Sequence, residues 1–453
     1  MGFLLPPEPV TSVDAWKAAG GGEGLRRAHE LGREATIAEV TTAGLRGRGG
    51  GGFPTGRKWS GVAGQPGTHR YVVANAAEGE PATFKDRALL RTNPYQFVEG
   101  VAIAAWAVDA RRAYVGIKAS FQWERLALEA AVAEMSDAGL AGDVPIVIVP
   151  GPDEYLFGEE KAMLEVIEGR PTMPRFLPPY LHGLFATAPQ LGWESSPGEP
   201  GHTERDESNP TLVNNCETLS NVPHILARGA DWFRSIGTER SPGTIVATVV
   251  GDVARPAYGE VEMGTPLARV IDDIGGGVRP GHRVKAVFSG VANPVIPSDR
   301  LGSPLTYEDM PLGAAGFAVY DDTACMVAVA HMISRFLYVE SCGQCPACKL
   351  NSEEITERLR AIDECRGGDD DIGVIGARLR AVTDGNRCYL PVEEQLAVSS
   401  VLQAFPEEFA GHIEGDCPRH RDDLIVPKIV DLADGKVVYD DRQARKQPDW
   451  TYR

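Results

Sequence analysis

Cys342, Cys345 and Cys348 stand at two-residue intervals in Cys342-Gly343-Gln344-Cys345-Pro346-Ala347-Cys348. A loop this tight offers three thiolates to one metal centre, and a cubane [4Fe–4S] cluster needs four. A short ferredoxin-type run would bring the fourth three residues later. None follows here, and the expected fourth is Cys388, 40 residues beyond Cys348 and returned by an intervening helical stretch. The other four cysteines, Cys216, Cys325, Cys365 and Cys417, read as buried or bystander thiols, with Cys365 and Cys417 as competitors for the fourth place. The rival reading is structural zinc, which also takes four cysteines but more often from two separated Cys-x2-Cys pairs.

A glycine-rich run, Gly44-Leu45-Arg46-Gly47-Arg48-Gly49-Gly50-Gly51-Gly52-Phe53-Pro54-Thr55-Gly56-Arg57-Lys58-Trp59, is the second chemical signal. Bare glycines let backbone N–H groups approach a phosphate or a flat ring closely. Lys58 and the arginines add positive charge. The run is neither a P-loop nor a strict Gly-x-Gly-x-x-Gly.

These residues need elements to hold them. Tyr71–Ala74, Ala113–Ile117 and Pro145–Val149 read as strands, with helical spacing over Phe97–Val108 and Trp123–Met135, so the first 240 residues predict an α/β unit with a largely parallel sheet. Gln190–Pro210 is rich in breakers and reads as a surface excursion. Residues 241–322 read as a small α+β unit, with strands at Thr244–Val250 and Val284–Ser289 and a helix over Pro266–Ile274. From 323 to 410 the pattern is helical, with Met326, Val329, Ala330, Ile333 and Leu337 on one face and Ile355, Leu359 and Ile362 on another. The tail, 411–453, reads as irregular.

The net charge of −18 and the lack of a dense Lys/Arg tract argue against nucleic acid as partner. The most apolar run, Val101–Val108, stops well short of the ~20 residues of a membrane span, and the first residues lack the features of a signal peptide. The expectation is a cytoplasmic chain that reaches a membrane only through partners. The histidines form no His-x-x-x-His pair, His331 reads as a core or boundary residue, and Asp369-Asp370-Asp371 as a solvated loop.

Together the cysteine loop and the glycine run resemble the flavin-binding subunit of respiratory complex I, shared with NAD-linked hydrogenases and formate dehydrogenases. Asn75-Ala76-Ala77-Glu78-Gly79-Glu80-Pro81, Phe84-Lys85-Asp86-Arg87, Gly158-Glu159-Glu160, Asn214-Asn215-Cys216-Glu217-Thr218 and Glu340-Ser341-Cys342-Gly343 extend the resemblance, in order, from Gly44 to Leu390. The resemblance implies an FMN-binding α/β domain, a ubiquitin-like (β-grasp) middle domain and a C-terminal helical bundle carrying the cluster. It assigns FMN to Gly47, Arg48, Gly49, Lys58, Asn75, Glu78, Gly158, Glu159, Asn214, Asn215 and Thr218. It assigns NADH to Gly50, Phe53, Glu80, Glu160 and Tyr180, and the cluster to Cys342, Cys345, Cys348 and Cys388. Hydride transfer needs no side-chain acid or base, so no catalytic side chain is expected.

The chain departs from that family where Ala77 replaces Asp, Leu177 replaces Lys before Pro178-Pro179, Tyr180 replaces Phe, Lys161 replaces Thr and Cys216 replaces an apolar residue. Losing a carboxylate and a lysine alters the charge of the dinucleotide cleft, and Lys161 is expected to restore a positive charge there. The implied activity takes hydride from NADH to FMN and passes single electrons through the cluster, or runs in reverse to reduce NAD+. The implied partner is an iron–sulfur subunit, a ferredoxin or a thioredoxin-like [2Fe–2S] protein, within a larger oxidoreductase complex. The alternatives are an electron-relay or scaffold subunit that has lost nicotinamide binding, and a zinc-bound interaction protein.

Overall fold

Tyr71–Ala76 (β1), Arg112–Lys118 (β2), Ile146–Gly151 (β3) and Thr211–Asn215 (β4) form a parallel sheet in the order β3-β2-β1-β4. The computed structural model describes residues 2–67, 69–188, 207–415, 421 and 423–452. The three strands read from β-branched runs all form. The helix Pro94–Ala107 packs beside the sheet with all but one residue buried, started by Asn93, whose side chain accepts from the Gln96 N–H, and by Pro94 at its first turn. Because β2 and β3 lie on one side of β1 and β4 on the other, the strand order reverses between β1 and β4. Asn75 pairs with Asn215 there, at the carboxyl ends where open α/β sheets bind their ligands.

The middle of the chain is a mixed five-stranded sheet. Thr244–Gly251 (β5), Ala257–Glu262 (β6), Val284–Ser289 (β7), Ile296–Pro297 (β8) and Gly316–Asp321 (β9) stand in the order β6-β5-β9-β7-β8. Only β5 and β9 run parallel. The helix Leu267–Gly275 buries Leu267, Val270, Ile271 and Ile274 in the core of this unit. First and last strands side by side, with a helix packed on the sheet, are the arrangement of a β-grasp.

Five helices follow: Met326–Glu340, Pro346–Asp363, Asp369–Ala381, Leu390–Ala404 and Pro406–Glu414. The two apolar faces read from the sequence are buried throughout. Other expectations change. The helix Pro406–Glu414 crosses the boundary placed at 410, and the tail forms an antiparallel hairpin of Ile429–Ala433 (β10) and Lys436–Tyr439 (β11). Among the described residues it pairs with no other strand, but Arg87 donates to the Ile429 and Val430 carbonyls, which an irregular tail would not arrange. Asp369-Asp370-Asp371 opens a helix, with Asp371 accepting from the Gly368 N–H and pairing with Arg358 at 2.8 Å. Carboxylates in a first turn complement the helix dipole. Cys365 is disulfide-bonded, not a bystander thiol. Cys417 and residues 190–206 of the excursion lie outside the described residues.

Candidate functional site

Ser341 closes the helix Met326–Glu340, and Pro346 opens the next one, so Cys342 and Cys345 sit in the tight link between two helices and Cys348 in the first turn of the second. Gly343, at φ 78°, takes the left-handed conformation that the link requires. Cys388 lies just before the helix Leu390–Ala404. Cys342, Cys345, Cys348 and Cys388 line one cavity, walled by Leu156, Leu390 and Pro391, with Arg387 at its side. All four are free of disulfides. Burial pushes the Cys348 thiol up to about 11 and the Cys388 thiol higher still. Four such thiols in apolar surroundings suit a metal centre, whose own charge drives their deprotonation. Cys216 is fully buried in the core of the first unit, a small hydrophobe in an apolar position.

The glycine-rich loop is closed at its neck. Thr55 N–H donates to the Leu45 carbonyl and Gly47 N–H to the Phe53 carbonyl, both at 2.9 Å. The single Gly47–Arg48 peptide is anchored to two units: Arg48 N–H donates to Thr218 Oγ1 at 2.8 Å, and Tyr307 of the β-grasp unit donates its hydroxyl to the Gly47 carbonyl at 3.0 Å. A Cβ at Gly52, where φ is 58°, would stand 2.6 Å from the Tyr307 ring, so only glycine fits. A Cβ at Gly51 would meet nothing within 4 Å, which leaves that stretch of backbone open for a ligand. Arg48 is buried and bonded to Tyr307 and Pro242 through its terminal nitrogens, but its Nε has no partner. Open glycine backbone with its N–H groups fits an anionic ligand such as the phosphate of FMN.

At the strand ends, Asn75 Nδ2 donates to the Gly158 carbonyl at 2.7 Å, and Trp59 Nε1 donates to Asn214 Oδ1 at 2.8 Å. Asn215 caps the helix Cys216–Arg228, and its amide donates to Asp86 at 2.8 Å. Lys85 joins Asp86 at 2.7 Å and Glu217 at 3.1 Å, all buried. This network orients Asn215. The sequence marks Lys85 and Asp86 as matching the family, but not their part in it.

The acids predicted to face ligands are mostly engaged within the chain. Glu78 accepts from the Asp86 N–H and pairs with Arg87 at 2.9 Å. Glu80 accepts from Val291 N–H at 2.6 Å, Ala292 N–H at 3.2 Å and the Tyr155 hydroxyl at 2.6 Å, which clasps the first unit to the β-grasp unit. Glu159 caps the helix Glu160–Ile167 through the Lys161 and Ala162 N–H groups, and burial raises it to about 7. Glu160 pairs with Lys58 at 2.7 Å. Phe53 and Tyr180 are each about half exposed, at 49% and 46%. Lys161 does not answer the missing lysine at Leu177: its ammonium donates to the Arg387 carbonyl beside Cys388, which joins the Glu159-Glu160 turn to the cysteine cavity. Tyr155, with no role read from the sequence, bridges Glu80 and Glu393.

Residues 40–224 match the family described as the Nuo51 FMN-binding domain, and residues 328–412 match the NADH-ubiquinone oxidoreductase-F iron–sulfur binding region. An F-type subunit of NADH-quinone oxidoreductase from Rhizobium meliloti (strain 1021) is 36% identical over 426 residues, 90% of this chain and 96% of that protein. HndC of Solidesulfovibrio fructosivorans, a component of an NADP-reducing hydrogenase, is 32% identical over 447 residues, 95% of this chain and 86% of its own. A crystal structure of an NAD+-reducing [NiFe]-hydrogenase in the H2-reduced state superposes with a TM-score of 0.77 at 31% identity, covering 91% of this chain and 68% of that one.

Proposed function

The chain belongs to the family of F-type subunits of NADH-quinone oxidoreductase, and from that premise we propose how its residues serve an NADH-oxidising FMN and [4Fe–4S] protein. Bound FMN supplies the conversion that the reaction needs, between the two electrons of a hydride and the single electrons an iron–sulfur centre carries. Cys342, Cys345, Cys348 and Cys388 hold the cluster. Gly47, Arg48, Gly49 and Lys58 hold the phosphate side of the flavin, and Asn75, Gly158, Asn214, Asn215 and Thr218 its ribityl and ring, with Glu78 and Glu159 fixing the turns around it. Gly50, Phe53, Glu80, Glu160 and Tyr180 line the NADH side, where Phe53 and Tyr180 offer exposed aromatic faces.

One observation carries this reading. Four cysteines spread over 47 positions of sequence share one cavity, and Lys161 ties that cavity to the Glu159-Glu160 turn. The residues that would hold the cluster are thereby tied to a turn assigned to the flavin. A partner subunit with its own iron–sulfur centre would accept the electrons. Among the described residues no helix is long and apolar enough to cross a membrane.

The test is an anaerobic visible spectrum of the purified protein before and after NADH. Flavin bands with broad iron–sulfur absorbance that bleaches on NADH addition are expected. Both chromophores bleached by dithionite but not by NADH would overturn the assignment and leave an electron relay.

A further inference from the structure

A second pocket opens between the carboxyl end of β2 and the C-terminal hairpin. Lys118 ends β2 and lines it, 2% exposed. Its ammonium has one oxygen acceptor, the Asp153 carbonyl at 3.3 Å, and makes no ion pair among the described residues. The Phe121 ring lies 5.8 Å from Nζ. An ammonium carries three donors, and a buried charge without a counter-charge is strongly disfavoured.

The carboxylates on the same wall are engaged elsewhere. Glu78 is held by Arg87, and Glu80 by Tyr155 and the Val291 backbone. Asp153 accepts from Ser120 and faces Arg442 at 3.8 Å. Asp440 binds Arg442 at 2.9 Å and Lys428 at 3.5 Å. Burial, reinforced by the nearby Lys428 and only partly opposed by the Asp153 and Glu340 charges, drives Lys118 down to about 7. An anion in the cavity would reverse both effects and take the two free donors.

We propose that this cavity binds a small oxyanion, phosphate or carboxylate, with Lys118 as its buried anchor and Arg442 on its rim. Such an anion has the donors it needs from two parts of the chain, the end of β2 and the hairpin. It would also draw the hairpin onto the parallel sheet.

Isothermal titration of the holoprotein in phosphate-free buffer tests this, with inorganic phosphate and succinate added in separate runs. At least one anion is expected to give a saturable site, and which one identifies the source. Affinity should fall tenfold or more in Lys118→Met and persist in Lys118→Arg. Arg442 is half exposed, so Arg442→Ala keeps the test open if Lys118→Met does not fold, and it too should weaken binding. No saturable heat from either anion overturns the proposal. So does affinity that survives Lys118→Met, or Arg442→Ala where only that variant folds.

Discussion

Lys58 Nζ lies 2.7 Å from Glu160 Oε2, so a group assigned to the flavin and one assigned to the dinucleotide hold each other across 102 positions of sequence. About a third of each side chain is exposed, which keeps the pair's worth to stability within about 1 kcal/mol. Its value lies in orientation. Glu160→Gln is therefore expected to retain FMN and melt within a few degrees of the parent, while KM for NADH rises roughly tenfold. Steady-state kinetics with ferricyanide and a flavin count decide this, and an unchanged KM would remove Glu160 from the dinucleotide site.

Cys388 is the corner supplied from a distance. Cys388→Ala is expected to lose the [4Fe–4S] signal in electron paramagnetic resonance and to lower bound iron, with flavin retained. Cys325→Ser makes the contrast: that thiol is buried beside His412, at 3.3 Å, away from the cavity. Full iron in Cys388→Ala would place the fourth ligand elsewhere.

Glu394 gives a signature in pH. It is fully buried on the helix Leu390–Ala404, accepts from Ser334 at 2.6 Å, and burial raises it from 4.5 to about 8. The folded chain thus binds a proton between those values that the unfolded chain has released. Stability from this group is complete below about 4.5 and is lost as pH rises to about 8. Glu394→Gln should remove that slope, gaining on the parent by on the order of a few kcal/mol between pH 5 and 9. Denaturant melts at several pH values measure it, and parallel pH profiles for parent and variant would refute it.

The clasp at Glu80 leaves no room beside it. A Cβ at Gly290, where φ is 65°, would stand 1.9 Å from Glu80 Oε1. Gly290→Ala combines a clash with a strained backbone, and a loss of roughly 2–4 kcal/mol is expected. Thermal melts of the holoprotein would show it, and a variant as stable as the parent would mean that the clasp yields freely.

Much of this was legible in the sequence. The β-branched runs of β1 and β2 named their own strands, and the spacing of Cys342, Cys345 and Cys348 pointed to a metal centre with Cys388 as the expected fourth ligand. What the sequence could not supply was the partner of each polar group. Glu80 carries no local sign that it accepts hydrogen bonds from Val291, 211 positions away, and Glu78 none that Arg87 takes its charge. Lys161 looked like a replacement for a lysine missing at Leu177, because charge can be counted in sequence while direction cannot. The hairpin of β10 and β11 was missed for a related reason. It is a two-stranded ribbon, and such ribbons are held by what they pack against more than by their own pattern.

The glycine-rich loop takes one anchor from Thr218 and another from Tyr307, on opposite sides of the boundary between the α/β and β-grasp units. Two modules that look separable therefore share custody of one cradle. A fragment ending before the β-grasp unit would keep all four parallel strands and still hold its cofactor loosely. A chain that lost either module would lose one of the two anchors of that loop.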